Sequence, residues 1–278
     1  MRVRSLAAAA VACLMMTQAV PAGTWDELRY DVIGDAEPVI DGDVVTLHTP
    51  YRTYEDPRTD VGARVTAPFG EFIQKVSLII DENPMPVSAV FEMAEPQREF
   101  AFSTTMRING PSMVRVLAET DQGKLYMQEA FLKTSGVGAC AAPPGTDPVE
   151  ALANLGTMNF KLLQADSETI MAGLNGTAPK QSTPFKDDGR PVQLDIDHPS
   201  HSGMQMDQIT LLFIPMRYVE TVEVQTDGKP AFTLTGSISL SENPAVRFDI
   251  PAEAVGVGVK MTDTEGAVFE ETFVLPGG

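Results

Sequence analysis

The chain has 278 residues with 43 % hydrophobic content, enough for two domains that each bury a core, and this excludes a disordered or fibrous protein. Its 38 acidic and 20 basic residues give a formal net charge of -18 at pH 7. Such a surface argues against nucleic acid or an anionic membrane as partner and favours a basic protein, although solubility alone would also account for it.

The chain opens with Arg2 and Arg4, an apolar run from Leu6 to Met16 and small residues to Gly23. This is the order of a secretory leader, with Val20 and Ala22 at the small-residue positions and cleavage expected after residue 22. The mature protein is then expected in a bacterial-type periplasm. A lipid anchor on Cys13 is the rival reading, but Ala10 stands where a larger aliphatic residue is expected. No later stretch approaches the ~20 apolar residues of a membrane span. Loss of Cys13 with the leader leaves Cys140 as the single thiol in an oxidising compartment, where no internal disulfide can form.

With 21 prolines and 22 glycines, short strands joined by turns are expected. Residues 25–34 have helical apolar spacing and predict a short opening helix. Strands are predicted near 44–47, 63–67, 72–81, 87–93, 100–108, 112–118 and 124–133, a density that fits an immunoglobulin-like sandwich. From Cys140 to about Phe185 the composition shifts to Ala, Pro, Gly, Thr and Asn. This predicts a linker (142–184) with short helical turns at 148–155 and 159–165. A second strand series follows at 191–196, 208–214, 219–226, 231–237, 245–250, 255–262 and 267–274, with Asp227-Gly228 as a hairpin signal and Glu265-Gly266 as a turn. The expected architecture is all-β, with two immunoglobulin-like β-sandwich domains over 23–141 and 185–278 joined by a linker.

The stretch Ser135-Gly136-Val137-Gly138-Ala139-Cys140-Ala141-Ala142 surrounds the thiol with small residues. Gly136, Gly138, Ala139 and Ala141 are expected to form a thin flexible arm on which Cys140 is exposed as a covalent attachment point. The alternative is a buried cysteine acting as a small hydrophobe. A catalytic constellation is not apparent, because none of His48, His198 and His201 can be placed beside the thiol from sequence. With Lys133 the nearby cation in sequence, a pKa near the ordinary value of about 8.5 is expected. His198, His201, Met204 and Met206 could bind copper(I), but their spacing is no metal signature and a polar turn explains them. No cofactor site is evident: neither a haem-attachment motif, nor a phosphate loop, nor zinc-type cysteine spacing occurs.

Ile79-Ile80-Asp81-Glu82-Asn83-Pro84-Met85-Pro86, Ser103-Thr104-Thr105-Met106-Arg107-Ile108 and the glycine-flanked Cys140 resemble SoxY, the sulfur-carrying subunit of periplasmic thiosulfate oxidation. The stretch from His198 to Asp207, with Ile214-Pro215, Tyr218-Val219 and Ile238-Ser239-Leu240-Ser241-Glu242-Asn243-Pro244, is similar to its partner SoxZ. Both in one chain resemble fused SoxYZ-like carriers associated with quinoprotein dehydrogenases. The resemblance implies two immunoglobulin-like sandwiches, a covalent sulfur adduct on Cys140 and no catalytic turnover. It also implies periplasmic oxidoreductases as partners, either Sox-type enzymes or a quinoprotein dehydrogenase, and a structural turn role for His198. Two departures stand out: Cys140 is internal where SoxY carriers end in a free tail, and Ala139, Ala141 and Ala142 stand where glycines are usual. An arm tethered at both ends has a shorter reach. A module that docks on a pyrroloquinoline-quinone dehydrogenase, with an incidental thiol, is the second expectation.

Overall fold

The computed structural model describes residues 24–136, 138–142, 144–163, 183–185 and 189–276. The expected leader, Cys13 and the middle of the expected linker lie outside the described residues. Helix α1 (Thr24–Ile33) is followed by β1 (Val39–Ile40), β2 (Val45–His48), β3 (Thr59–Thr66), β4 (Ile73–Ile80), β5 (Val87–Gln97), β6 (Glu99–Met106), β7 (Ser112–Thr120) and β8 (Leu125–Leu132). Then come a short helix α2 (Pro148–Ala153) and β9 (Met158–Leu162). The second half supplies β10 (Pro191–Ile196), β11 (Val219–Thr226), β12 (Lys229–Thr235), β13 (Ala245–Asp249), β14 (Gly256–Asp263) and β15 (Val268–Val274).

The all-β expectation of two sandwich domains holds, and strand patterning explains which face goes inward. In β14, Val257, Val259 and Met261 are buried on alternate positions while their neighbours are partly exposed. Strand β4 does not alternate at its end: Leu78, Ile79 and Ile80 are all buried. Its second face is covered by α1, whose Trp25, Val32 and Ile33 pack on Ile79, Leu117 and Met127. Asp227 and Gly228 both have positive φ, 51° and 76°, the geometry of a two-residue hairpin turn between β11 and β12.

The halves are not separate bodies on a string. Strand β5 pairs antiparallel with β12, and β6 with β13. A nine-stranded sheet therefore runs β1-β8-β7-β4-β5-β12-β11-β14-β15, facing a six-stranded sheet ordered β2-β3-β6-β13-β10-β9. One hydrophobic cluster spans both halves. At its centre Phe91 and Phe100 of the first half meet Phe232 of the second, with Phe91–Phe232 centroids 6.0 Å apart, Phe100–Phe232 5.5 Å and Phe232–Phe248 5.0 Å. Edge strands with unpaired backbone groups pair readily with other edges, and here each domain closes the other's.

Two local expectations are corrected. A helical turn is expected over 159–165, but its described part is extended: 158–162 form β9, which pairs with β10 and extends the smaller sheet, and 164–165 lie outside the described residues. Phe160 stacks on Phe273 of β15 at 4.9 Å, so packing overrides the local composition. Residues 208–214 are not a strand. They form the tip of a hairpin whose stem bridges His201 to Arg217 and Met206 to Phe213.

Candidate functional site

The site assembles from the end of β6 and the loop after it. Arg107 donates its backbone N–H to Ser239 at 2.7 Å, and Ile108 to Asp56 at 2.9 Å. Asn83, buried in the turn after β4, clamps this segment. Its amide nitrogen donates to the Arg107 carbonyl at 2.8 Å and to Ser239 Oγ at 2.9 Å, and its oxygen accepts from the Asn109 N–H at 2.9 Å. Asn109 in turn accepts the Cys140 N–H on its side-chain oxygen at 3.3 Å.

Cys140 lies in a single 3-10 turn, Ala139–Ala141, entered through Gly138 in the left-handed region at φ 79°. The second half closes over this turn. Ser202 Oγ donates to the Cys140 carbonyl, and Gln205 Nε2 donates to the Ala142 carbonyl at 3.1 Å. Glu242 accepts from the backbone of Gly145 at 2.7 Å and Thr146 at 2.8 Å, fixing the exit of the segment. On the entry side the Asp56 carboxylate accepts from the Ser135 N–H at 3.0 Å and from its hydroxyl.

Cys140 therefore has no exposed surface. The expected exposed thiol on an extended arm is not what the chain forms: Gly136 and Ala141 are exposed, but Ala139 and Cys140 are buried. Small side chains permit close packing as readily as they permit access, and here the turn is packed against both domains. Burial pushes the thiol up to about 11, and Arg107 opposes this only partly. The sulfur is thus a neutral thiol at neutral pH, in place of the expected near-ordinary value, and is no nucleophile where it sits.

Arg107 is 2 % exposed, and its Nη1 donates to the carbonyls of Ile238 at 3.3 Å and Leu240 at 2.5 Å. Burial pulls its guanidinium down, opposed by Cys140 and Glu242. Sequence reasoning found only Lys133 as a cation near the thiol and missed Arg107. An arginine directly after the strand pattern of β6 was the available signal. Ser202 and Gln205 were also missed as partners of the cysteine turn.

His198 and His201 are held by partners of their own. His198 Nδ1 accepts from the Ser200 N–H at 2.9 Å, and its backbone N–H donates to Asn243 at 2.9 Å. Its Nε2 faces Asp263 at 3.6 Å, near enough for attraction but too long for a hydrogen bond, so this nitrogen is left without a partner. Burial lowers His198 to about 4 despite Asp263, so it is neutral. His201 Nδ1 meets Gln205 Oε1 at 3.1 Å, and burial lowers its pKa too. The two rings are committed to different partners, and Met206 is 39 % exposed. Among the described residues no group of three or more His, Cys, Asp or Glu side chains could hold a metal ion, and no helix is long and apolar enough to cross a membrane.

The geometry defines a two-domain β-sandwich protein with one thiol, the single cysteine among the described residues, sealed at the seam between its halves. Residues 29–140 match the family described as sulfur oxidation protein SoxY, and residues 180–274 match sulphur oxidation protein SoxZ. The chain belongs to the fused SoxYZ-like proteins, a carrier family of sulfur oxidation whose enzymes are its partners. Among solved structures it is similar to the sulfur carrier protein SoxY from Chlorobium limicola f thiosulfatophilum, at 18 % identity and a TM-score of 0.32, over 40 % of this chain and 96 % of that one. It is also similar to a superoxide reductase (neelaredoxin) from Ignicoccus hospitalis, at 13 % identity and a TM-score of 0.27, over 33 % of this chain and 80 % of that one. No curated protein matches the chain.

Proposed function

We propose that this protein is a periplasmic carrier that holds a sulfur-containing group on Cys140 and presents it to partner enzymes, without turnover of its own. The observation that carries the reading is the position of Cys140. It closes the SoxY match; Ser202 of the SoxZ-like stretch binds its carbonyl, and Asn83 of the SoxY-like stretch clamps Arg107, Ser239 and the Asn109 that accepts its N–H. Side chains bind this turn through three hydrogen bonds, from Asn109, Ser202 and Gln205. At a net ~1 kcal/mol each, such a turn opens on the order of 0.1–1 % of the time. A group added to a fully enclosed sulfur overpacks its surroundings, so loading and exposure of Cys140 go together. The sealed state is the resting state, and the open state is the one a partner loads.

A second reading, a docking module for a quinoprotein dehydrogenase with an incidental thiol, is favoured by the same burial. Intact-mass analysis of protein from its native periplasm, beside a Cys140→Ser variant, separates the two. The carrier reading predicts an adduct on Cys140 and loss of function in the variant. An unmodified thiol with full function in the variant would leave only docking.

A further inference from the structure

The hairpin that holds the cysteine turn carries an apolar tip that nothing in the fold covers. Ile209 is 92 % exposed, Leu212 68 % and Phe213 67 %, with Leu211 and Met216 also exposed. The tip is held in one shape. Asp207 Oδ1 accepts from the Ile209 N–H at 3.0 Å and the Thr210 N–H at 2.6 Å, and Leu211 is fixed at φ 57°, a left-handed conformation unfavourable for a leucine. Its stem continues directly into the lock. Ile214 donates to the Gln205 carbonyl at 2.8 Å, while the side chain of Gln205 binds Ala142 beside the cysteine. Five large apolar side chains exposed on an ordered projection are a cost in water, and contiguous exposed apolar surface marks an interaction site.

We propose that this tip docks into a partner protein presenting an apolar cleft with a basic rim. Charge selects that occupant. Residues 185–278 contain fifteen acidic and six basic side chains. A second copy would bring the same acidic surface against itself, and an anionic bilayer would repel it. A basic protein is attracted at long range and gains the apolar contact at short range. The second half of the inference rests on the carrier reading: a partner seated on the tip is placed at the stem whose Ser202 and Gln205 hold the cysteine turn closed, so that docking and unlocking of Cys140 are coupled.

The test uses the full chain in its native cells with Leu212 replaced by photoreactive benzoylphenylalanine. The inference predicts a crosslink to a different protein. Its yield should fall about tenfold when an Ile209→Ser/Phe213→Ser pair is added, and by a similar factor when extracts are irradiated at about 0.5 M salt instead of 0.05 M. A crosslink only to a second copy, only to lipid, or to nothing overturns the docking surface, as does a salt-independent yield. Intact mass of Cys140 is read in parallel from chains without the photoreactive group. An adduct in the wild type that is depleted in the tip variant supports the coupling, and equal adduct in both overturns it. No adduct in the wild type sinks the carrier reading, and the crosslink then decides the docking surface alone. Both tip residues are exposed, so an unchanged melting temperature shows that the variant folds.

Discussion

Two buried titratable side chains give the protein opposite pH liabilities. Cys140 is held near 11 by burial, above its ordinary value. The unfolded chain therefore loses this proton first, and the native state loses stability as pH rises from about 9 to 11, by roughly 2–3 kcal/mol. A Cys140→Ser variant should lack that alkaline slope in urea melts at pH 8 to 11. His198 is the reverse, because burial lowers it from 6.5 to about 4. Here the unfolded chain takes up the proton first, so stability present above pH 6.5 declines as pH falls towards 4, by ~3 kcal/mol. A His198→Asn variant should flatten the curve in that window. An unchanged slope would show that other groups, Asp263 foremost, govern the acid limb.

Among the elements, β3 and β6 pair so closely that one position tolerates no side chain. A Cβ on Gly62 would lie 2.4 Å from the Phe102 carbonyl oxygen and 2.9 Å from Ser103. Gly62→Val is expected to destabilise the protein by about 3 kcal/mol in chemical denaturation, while Gly70→Ala, with open space around it but a positive φ, should cost about 1 kcal/mol. Most strands were legible because their apolar residues alternate or run together between turn signals, as in β14 and β4. Strand β9 was not, since Met158 to Leu162 is short and amid small polar residues, and it becomes a strand only because β10 offers a partner. The segment 208–214 failed the other way: its apolar run reads as a strand, yet no sheet partner receives it, and it protrudes. At the site, the sequence pointed to Cys140 but not to its burial. The covering side chains, Ser202 and Gln205, lie about 60 residues away, and nothing local encodes their approach.

In the whole molecule, both sheets run through the two halves and share one core. The expected picture of two cores on a linker predicts two unfolding steps, whereas shared sheets predict one. Calorimetry should show a single transition with equal calorimetric and van't Hoff enthalpies, and two separable transitions would contradict the shared core. The same continuity confines any exposure of Cys140 to local release of its turn, because the scaffold cannot part without unfolding. Alkylation of Cys140 by a maleimide in the absence of denaturant tests the proposed gated attachment site most directly. The account predicts complete labelling at a rate about 10²–10³-fold below that of the unfolded chain, nearly independent of low urea and at least several-fold faster in Ser202→Ala and Gln205→Ala. Labelling that appears only with global unfolding would contradict it.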